Sequence, residues 1–300
     1  MATTAHIILD QPADKYHAAP GVSASVLVHG LKSMKHMHAA MTHHKESTAA
    51  MAFGTLTHAA VLEWDRFAAS VVFWDGTRNT AKLKKDGSLG NPTDWEGFRD
   101  ANADKIILTH ALFADLGRAK DAVMADSECR ESLRGESCET SCYWTDDRYG
   151  AGRCRFDVLG VRGFTDLKTT GHVKRENFIN AAERLGYYLK FGWYAHGWRQ
   201  LRGRLPGARV VVLSHDKSTD CFDAYCLRIN PASLEAWEVE AVNLAKRYQM
   251  SERDNTFPGM SGDGVLADFA RPKWATGGDG DGNPWSPGEA GDDTESKEGE

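Results

Sequence analysis

The amino-acid sequence predicts a mixed α/β fold, a central mixed β-sheet flanked by helices. Three observations predict it. Residues 1–136 read mainly as helices. Between 137 and 170 the pattern turns into short alternating segments separated by turn residues, the mark of antiparallel hairpins. Beyond 170, long amphipathic stretches and β-branched runs take turns.

Ser23 and Ser25 are candidate N-caps for a helix through SVLVHGLKSMKHMHAAM, and MAFGTLTHAAVLEWDRF, 51–67, gives a second. The stretch 75–94 lacks periodicity, carries Gly, Asn, Lys and Pro, and reads as an exposed basic loop. Helices return at 95–103 and 109–126. SCETSCYW then alternates as a strand, TDDRYG turns, AGRCRFDVLG is the second strand, GVRG reverses the chain and FTDLKTT is the third. A helix over 174–201, strands ARVVVLSH and CFDAYCLRI, and a helix over 231–250 complete the domain.

Composition bounds the class. The 300 residues are 41% hydrophobic and 26% charged, as in a globular protein, and no apolar run is long enough to cross a bilayer. No membrane partner is expected. The net charge of −6 misleads, because residues 276–300 hold eight acidic groups and one lysine. That segment reads as a disordered acidic tail behind a near-neutral domain over 1–275. The start of the chain has no secretory pattern and the six cysteines suggest reduced thiols, so a cytoplasmic location is expected.

RFDVLGVRGFTDLKTT, 155–170, holds two carboxylates and an amine in apolar strands. With Val161 and Arg162 at the hairpin tip, Gly160 faces Gly163, and the same register sets Asp157 directly opposite Asp166. Their Cβ atoms would stand ~5 Å apart on one face, and Lys168 would share it. Two such charges need a cation between them. Hard carboxylate oxygens suit Mg²⁺ or Mn²⁺. The same residues also read as half-exposed sheet positions balanced by Lys168 and Arg155.

RFD, then TDLKTT at hairpin spacing, then RLGYYLKFGWY on a long helix resembles the PD-(D/E)XK nucleases, within them the phage-type recombination exonucleases of the exodeoxyribonuclease VIII kind. YHAAPGVSASVL, FGTLTHAAVLEWDRF, ILTHALFADL and SCYWTDDRYGAGRCRFD extend the likeness, in order, over roughly 15–250. The resemblance implies a helical N-terminal part to about 136 and a catalytic core over about 137–255. It makes Asp157 and Asp166 metal-binding carboxylates, Lys168 the motif lysine, and His58 of GTLTH a further metal ligand. Gly54 lies one turn before His58 on the same helix face.

The resemblance further implies hydrolysis of one strand from double-stranded DNA ends, 5′ to 3′. The product would be single-stranded DNA for recombination, handed to a single-strand annealing protein. A ring-shaped homo-oligomer in the host cytoplasm is the implied form. Tyr187 and Lys190 fall where the family positions DNA; Lys190 departs from the usual glutamine, and Phe156 from the proline of the family's name. A catalytically silent DNA-binding subunit and an endonuclease are the alternatives.

Other features are weaker. Arg78, Lys82, Lys84 and Lys85 of the basic loop are candidate phosphate contacts. Glu63, five positions from His58, is a poor ligand candidate. The histidines at 36, 38, 43 and 44 read as exposed surface rather than a zinc site. The spacing of Cys129, Cys138, Cys142 and Cys154 matches no iron–sulfur motif, and such a cluster is not expected. Trp193, Tyr194 and Trp198 read as core.

Overall fold

The computed structural model describes residues 5–43, 48–81 and 93–260, without the side chains of 49 and 50. From the N-terminus run β1 (Ala5–Ile8), α1 (Ala13–Ala18), β2 (Val22–Ser23), α2 (Ala24–Gly30), α3 (Met34–Thr42), α4 (Ala49–Leu62), α5 (Trp64–Ser70), β3 (Val71–Phe73), α6 (Asp94–Ala101), β4 (Ile106–Leu108), α7 (His110–Ala125) and α8 (Ser127–Ser132). The second half adds β5 (Ser137–Asp146), β6 (Gly150–Leu159), β7 (Gly163–Thr170), α9 (Arg175–Arg184), α10 (Tyr187–Arg202), β8 (Gly207–Asp216), β9 (Cys221–Arg228) and α11 (Pro231–Arg253).

Short polar side chains start the helices that the site depends on. Thr48 accepts from the Met51 amide at the head of α4, Thr109 from Leu112 at α7, and Asn230 caps α11 with Pro231 in its first turn. Three expected helices are broken. Ser33 recaps the chain after α2 by accepting from the His36 amide, so 25–41 becomes α2 and α3. Gly186 stands at φ 66°, a left-handed conformation open to glycine, and divides 174–201 into α9 and α10. Likewise 51–67 divides at Glu63 into α4 and α5.

The sheet runs β1-β5-β6-β7-β8-β9, with β2 also paired to β6. All neighbours are antiparallel except β7 with β8 and β2 with β6. The expected hairpin is present: the Gly160 amide donates to the Gly163 carbonyl at 2.9 Å, and Val158 faces Thr165 and Leu159 faces Phe164. Pairing stops there. Asp157 and Asp166, next in that register, are not ladder partners. One edge of β6 thus pairs with β2 at Gly152–Arg153 and with β7 at Val158–Leu159, and among the described residues no strand covers 154–157 between them.

Two cores flank the sheet. On one face α2, α10 and α11 bury Trp193, Trp198, Leu189 and Tyr248 against Phe156, Phe164 and Val212. On the other, α4, α7 and α8 bury Val61, Val123 and Cys129 against Leu167, Val211 and Leu213. The helix α10 lies so close to α11 that a Cβ on Gly192 would stand 2.2 Å from the Trp237 carbonyl oxygen. Trp193 donates its indole N–H to the Val22 and Arg153 carbonyls, and Tyr194 packs edge-on against Phe156 and Phe164. These aromatics are core, as their spacing implied. The tail 276–300, Lys82, Lys84 and Lys85 lie outside the described residues.

Candidate metal centre

The cleft opened between β6 and β7 receives side chains from both strands and from both faces of the sheet. On one side the α4 N-terminal half crosses β7 closely, with Thr169 Oγ1 3.5 Å from where a Gly54 Cβ would lie. One turn on, His58 Nδ1 reaches Asp157 Oδ2 at 3.5 Å and Glu139 Oε1 at 3.7 Å. Imidazole and both carboxylates offer donor atoms within 4.8 Å of one another.

Glu139 was missing from the sequence reading. It lies in β5 between the pairs Cys138↔Val158 and Thr140↔Phe156, hence level with Asp157 on the neighbouring strand. Its backbone is left-handed, φ 47°, which breaks the ladder at this level. Arg155 Nε donates to Glu139 Oε2 at 2.7 Å and orients the carboxylate. The signal was available: the register across TDDRYG, carried down the hairpin, pairs position 139 with 157.

Asp157 is buried, and its Oδ2 accepts the Leu167 amide at 2.7 Å. The side chain thereby serves a β7 donor that the parted ladder leaves unpaired. Asp166 is also buried and lies against the Lys168 ammonium, yet its Oδ2 receives no well-formed hydrogen bond. Asp166 falls outside the tight His58–Glu139–Asp157 group and sits beside it with Lys168.

From the opposite face, α10 contributes Tyr187, whose ring lies 5.5 Å from Lys168 Nζ and 4.9 Å from Lys190 Nζ. Thus His58, Asp157, Asp166, Lys168, Tyr187 and Lys190 meet around one cleft. Arg78 does not join them; it donates to the Ile107 carbonyl at 3.2 Å and covers Trp95. Glu63 accepts from Arg66 at 3.1 Å. His36 and His38 bond Ser33 and Tyr248 respectively. Cys142 and Cys154 face each other in one core, while Cys129 lies in the other.

The electrostatics are those of crowded negative charge. Burial first, then the Asp166 and Glu139 charges, raise the Asp157 carboxyl to about 6, against the pull of His58 and Lys168. Burial works against a charged His58, but Asp157 and Glu139 outweigh it and raise its pKa. Lys168 is pushed up to about 12: burial opposes this, and Asp166 and Asp157 overcome it. Burial and the Lys168 charge bring Lys190 down to about 8. Glu139 is held below its usual value, because His58 and Arg155 exceed the burial penalty. Three convergent donors, two carboxylates and one imidazole, with the Asp166–Lys168 ion pair beside them, fit a divalent cation. Oxygen donors with one imidazole are compatible with Mg²⁺ and with Mn²⁺.

Comparison with known proteins agrees with this fold. The family profile described as "PDDEXK-like domain of unknown function (DUF3799)" matches residues 23–266. A crystal structure from Eubacterium rectale, described as a "Putative exonuclease", superposes with a TM-score of 0.55 at 11% identity, over 88% of this chain and 97% of that one. No curated protein sequence matches the chain.

Proposed function

Because the chain belongs to the PDDEXK-like domain family, we propose that it is a metal-dependent deoxyribonuclease that degrades one strand from duplex DNA ends. The carrying observation is the meeting of Asp157, Glu139, His58 and the Asp166–Lys168 pair in the cleft where β6 and β7 part. The name of the Eubacterium rectale neighbour supports an exonuclease over other nucleases. The sequence resemblance supports the finer reading: 5′-to-3′ digestion, single-stranded product for recombination, a single-strand annealing partner and a ring of subunits.

Asp157, Glu139 and His58 would hold the cation, with Asp166 adjoining. When bound, such a cation acidifies water and neutralises phosphate charge. The protein's own groups do the rest. Lys168, held as an ammonium, donates to a phosphoryl oxygen or to the attacking water. Arg155 fixes the Glu139 carboxylate and the Leu167 amide fixes that of Asp157, so neither must reorganise on binding. Lys190 offers a second positive group to the phosphate backbone as a point charge.

The test is to incubate the protein with end-labelled linear duplex and with closed circular DNA, in Mg²⁺, Mn²⁺ or chelator. Metal-dependent loss of linear DNA alone is expected. Cutting of circles would establish an endonuclease, and no loss with either metal a silent binding subunit. Asp166→Ala is expected to abolish cleavage while retaining DNA binding; wild-type rates in that variant refute the site.

A further inference from the structure

A cavity of about 490 Å³ is lined by residues of α4 and β7, two elements of the metal centre, and has no part in the chemistry above. Its walls include Phe53, Thr169, Thr170, Leu213, His215 and Lys217. Two of its walls come from the elements that bear the site. Phe53 precedes His58 on α4 by about 7.5 Å of helix rise. Thr170 follows Lys168 on β7 by about 7 Å of strand. The cavity therefore lies one short step from the cleft along both elements, on the face where α4 covers the sheet.

Its lining has four parts. Phe53 and Leu213 form an apolar floor. Thr169 and Thr170 border it, and the exposed Lys217 supplies positive charge at the rim. His215 is stacked on Phe222 at 4.1 Å and paired with Asp220 at 3.1 Å, so it forms a fixed side wall. A flat apolar body bearing hydroxyl acceptors and a phosphate is the ligand such a lining matches. The volume lies within the range of small-molecule sites.

Resting on the nuclease reading, we propose that this cavity is a nucleotide subsite. It takes the base of a nucleotide flanking the scissile phosphate against Phe53 and Leu213, with the adjoining backbone phosphate near Lys217. Its role is to position the strand, so that the phosphate one step away sits over the carboxylates.

The test uses the full chain and labelled duplex ends in chelator, read by fluorescence anisotropy. A single abasic nucleotide is moved through the terminal positions of each strand. Phe53→Leu keeps the helix packing but removes the ring; Lys217→Ala changes only an exposed charge. Phe53→Leu is expected to weaken binding about 10-fold, as loss of one base–aromatic stack does. Lys217→Ala is expected to weaken it by a few-fold and to reduce the salt slope by about 1. At one position the abasic site should weaken wild type as much as Phe53→Leu does, with no further loss when both are combined. Independent losses at every position, wild-type binding by both variants, or no binding by the unmodified protein overturn the subsite. Cleavage in Mn²⁺, measured in parallel, separates the two readings. Binding by these rules without cleavage overturns the nuclease reading alone, and cleavage with wild-type behaviour in both variants overturns the subsite alone.

Discussion

Glu139 holds a left-handed backbone inside a strand, at φ 47°. For a residue with a Cβ this costs about 1–2 kcal/mol. The carboxylate it delivers to His58 and Arg155 accounts for its place. Glu139→Gln keeps size and backbone but removes a charge. We expect cleavage to fall at least ~10-fold, the size of one lost electrostatic contact, and the rise in melting temperature on adding Mn²⁺ to shrink. Calorimetry with and without metal checks the second effect independently of activity. Asp157→Asn acts in two directions. With chelator present it relieves a buried charge and stabilises by about 1–3 kcal/mol, read by urea unfolding; with Mn²⁺ it abolishes the metal-induced gain. That Asp157, Asp166 and Lys168 lie near one another was legible because a two-residue hairpin brings its two strands together. The expected direct opposition of the carboxylates was not realised, because β6 and β7 part after Val158 and Thr165. Counting cannot foresee a ladder that ends early, nor a positive φ at a glutamate.

At the scale of elements, the boundary between α9 and α10 aims Tyr187 and Lys190. Gly186 sets it, with φ 66° and a would-be Cβ 3.0 Å from Leu31 Cδ1. Gly186→Ala is expected to cost about 1–2 kcal/mol and to lower cleavage more than stability loss alone explains, since Tyr187 and Lys190 occupy the first turn of α10. Gly192→Ala is more severe, because a Cβ there meets backbone rather than a movable side chain. Overpacking of that kind costs about 1–3 kcal/mol, here at the upper end because backbone must move, and is visible as a lowered urea midpoint. Apolar periodicity ran unbroken through Gly186 and gave one helix, because a glycine inside a helical pattern carries no signal of its hand. The strands β1 and β2 were missed for a different reason. They contribute four and two residues to the sheet, too few for alternation to show, and tertiary pairing with β5 and β6 makes them strands.

Across the whole molecule, a buried polar network ties α10 and α11 to the sheet. Trp144 donates to the Tyr149 hydroxyl, which bonds His196 Nε2 at 2.6 Å, and His196 Nδ1 bonds Glu238 at 3.1 Å. Arg199 holds Glu238 bidentately. Burial would raise Glu238, but His196 and Arg199 bring it below its ordinary 4.5, and Arg148 draws Asp146 below 3.8. On acidification the unfolded chain takes up these protons first. Their stabilisation is therefore complete above the ordinary carboxylate range and lost as pH falls through the lowered values. The urea midpoint should decline below about pH 4.5, and Glu238→Gln should flatten that decline; an unchanged acid limb would refute the linkage. The mixed α/β class was legible because the change of period near 137 survives every local error. The split along β6 has a mechanical meaning. Along the strands, the half-sheet of β1, β5 and β6 is hydrogen-bonded to that of β7, β8 and β9 at two rungs, the hairpin turn and the Asp157–Leu167 bond. They meet like the legs of a clothes-peg hinged at Gly160–Gly163, with Tyr194 of α10 packed across Phe156 on one leg and Phe164 on the other.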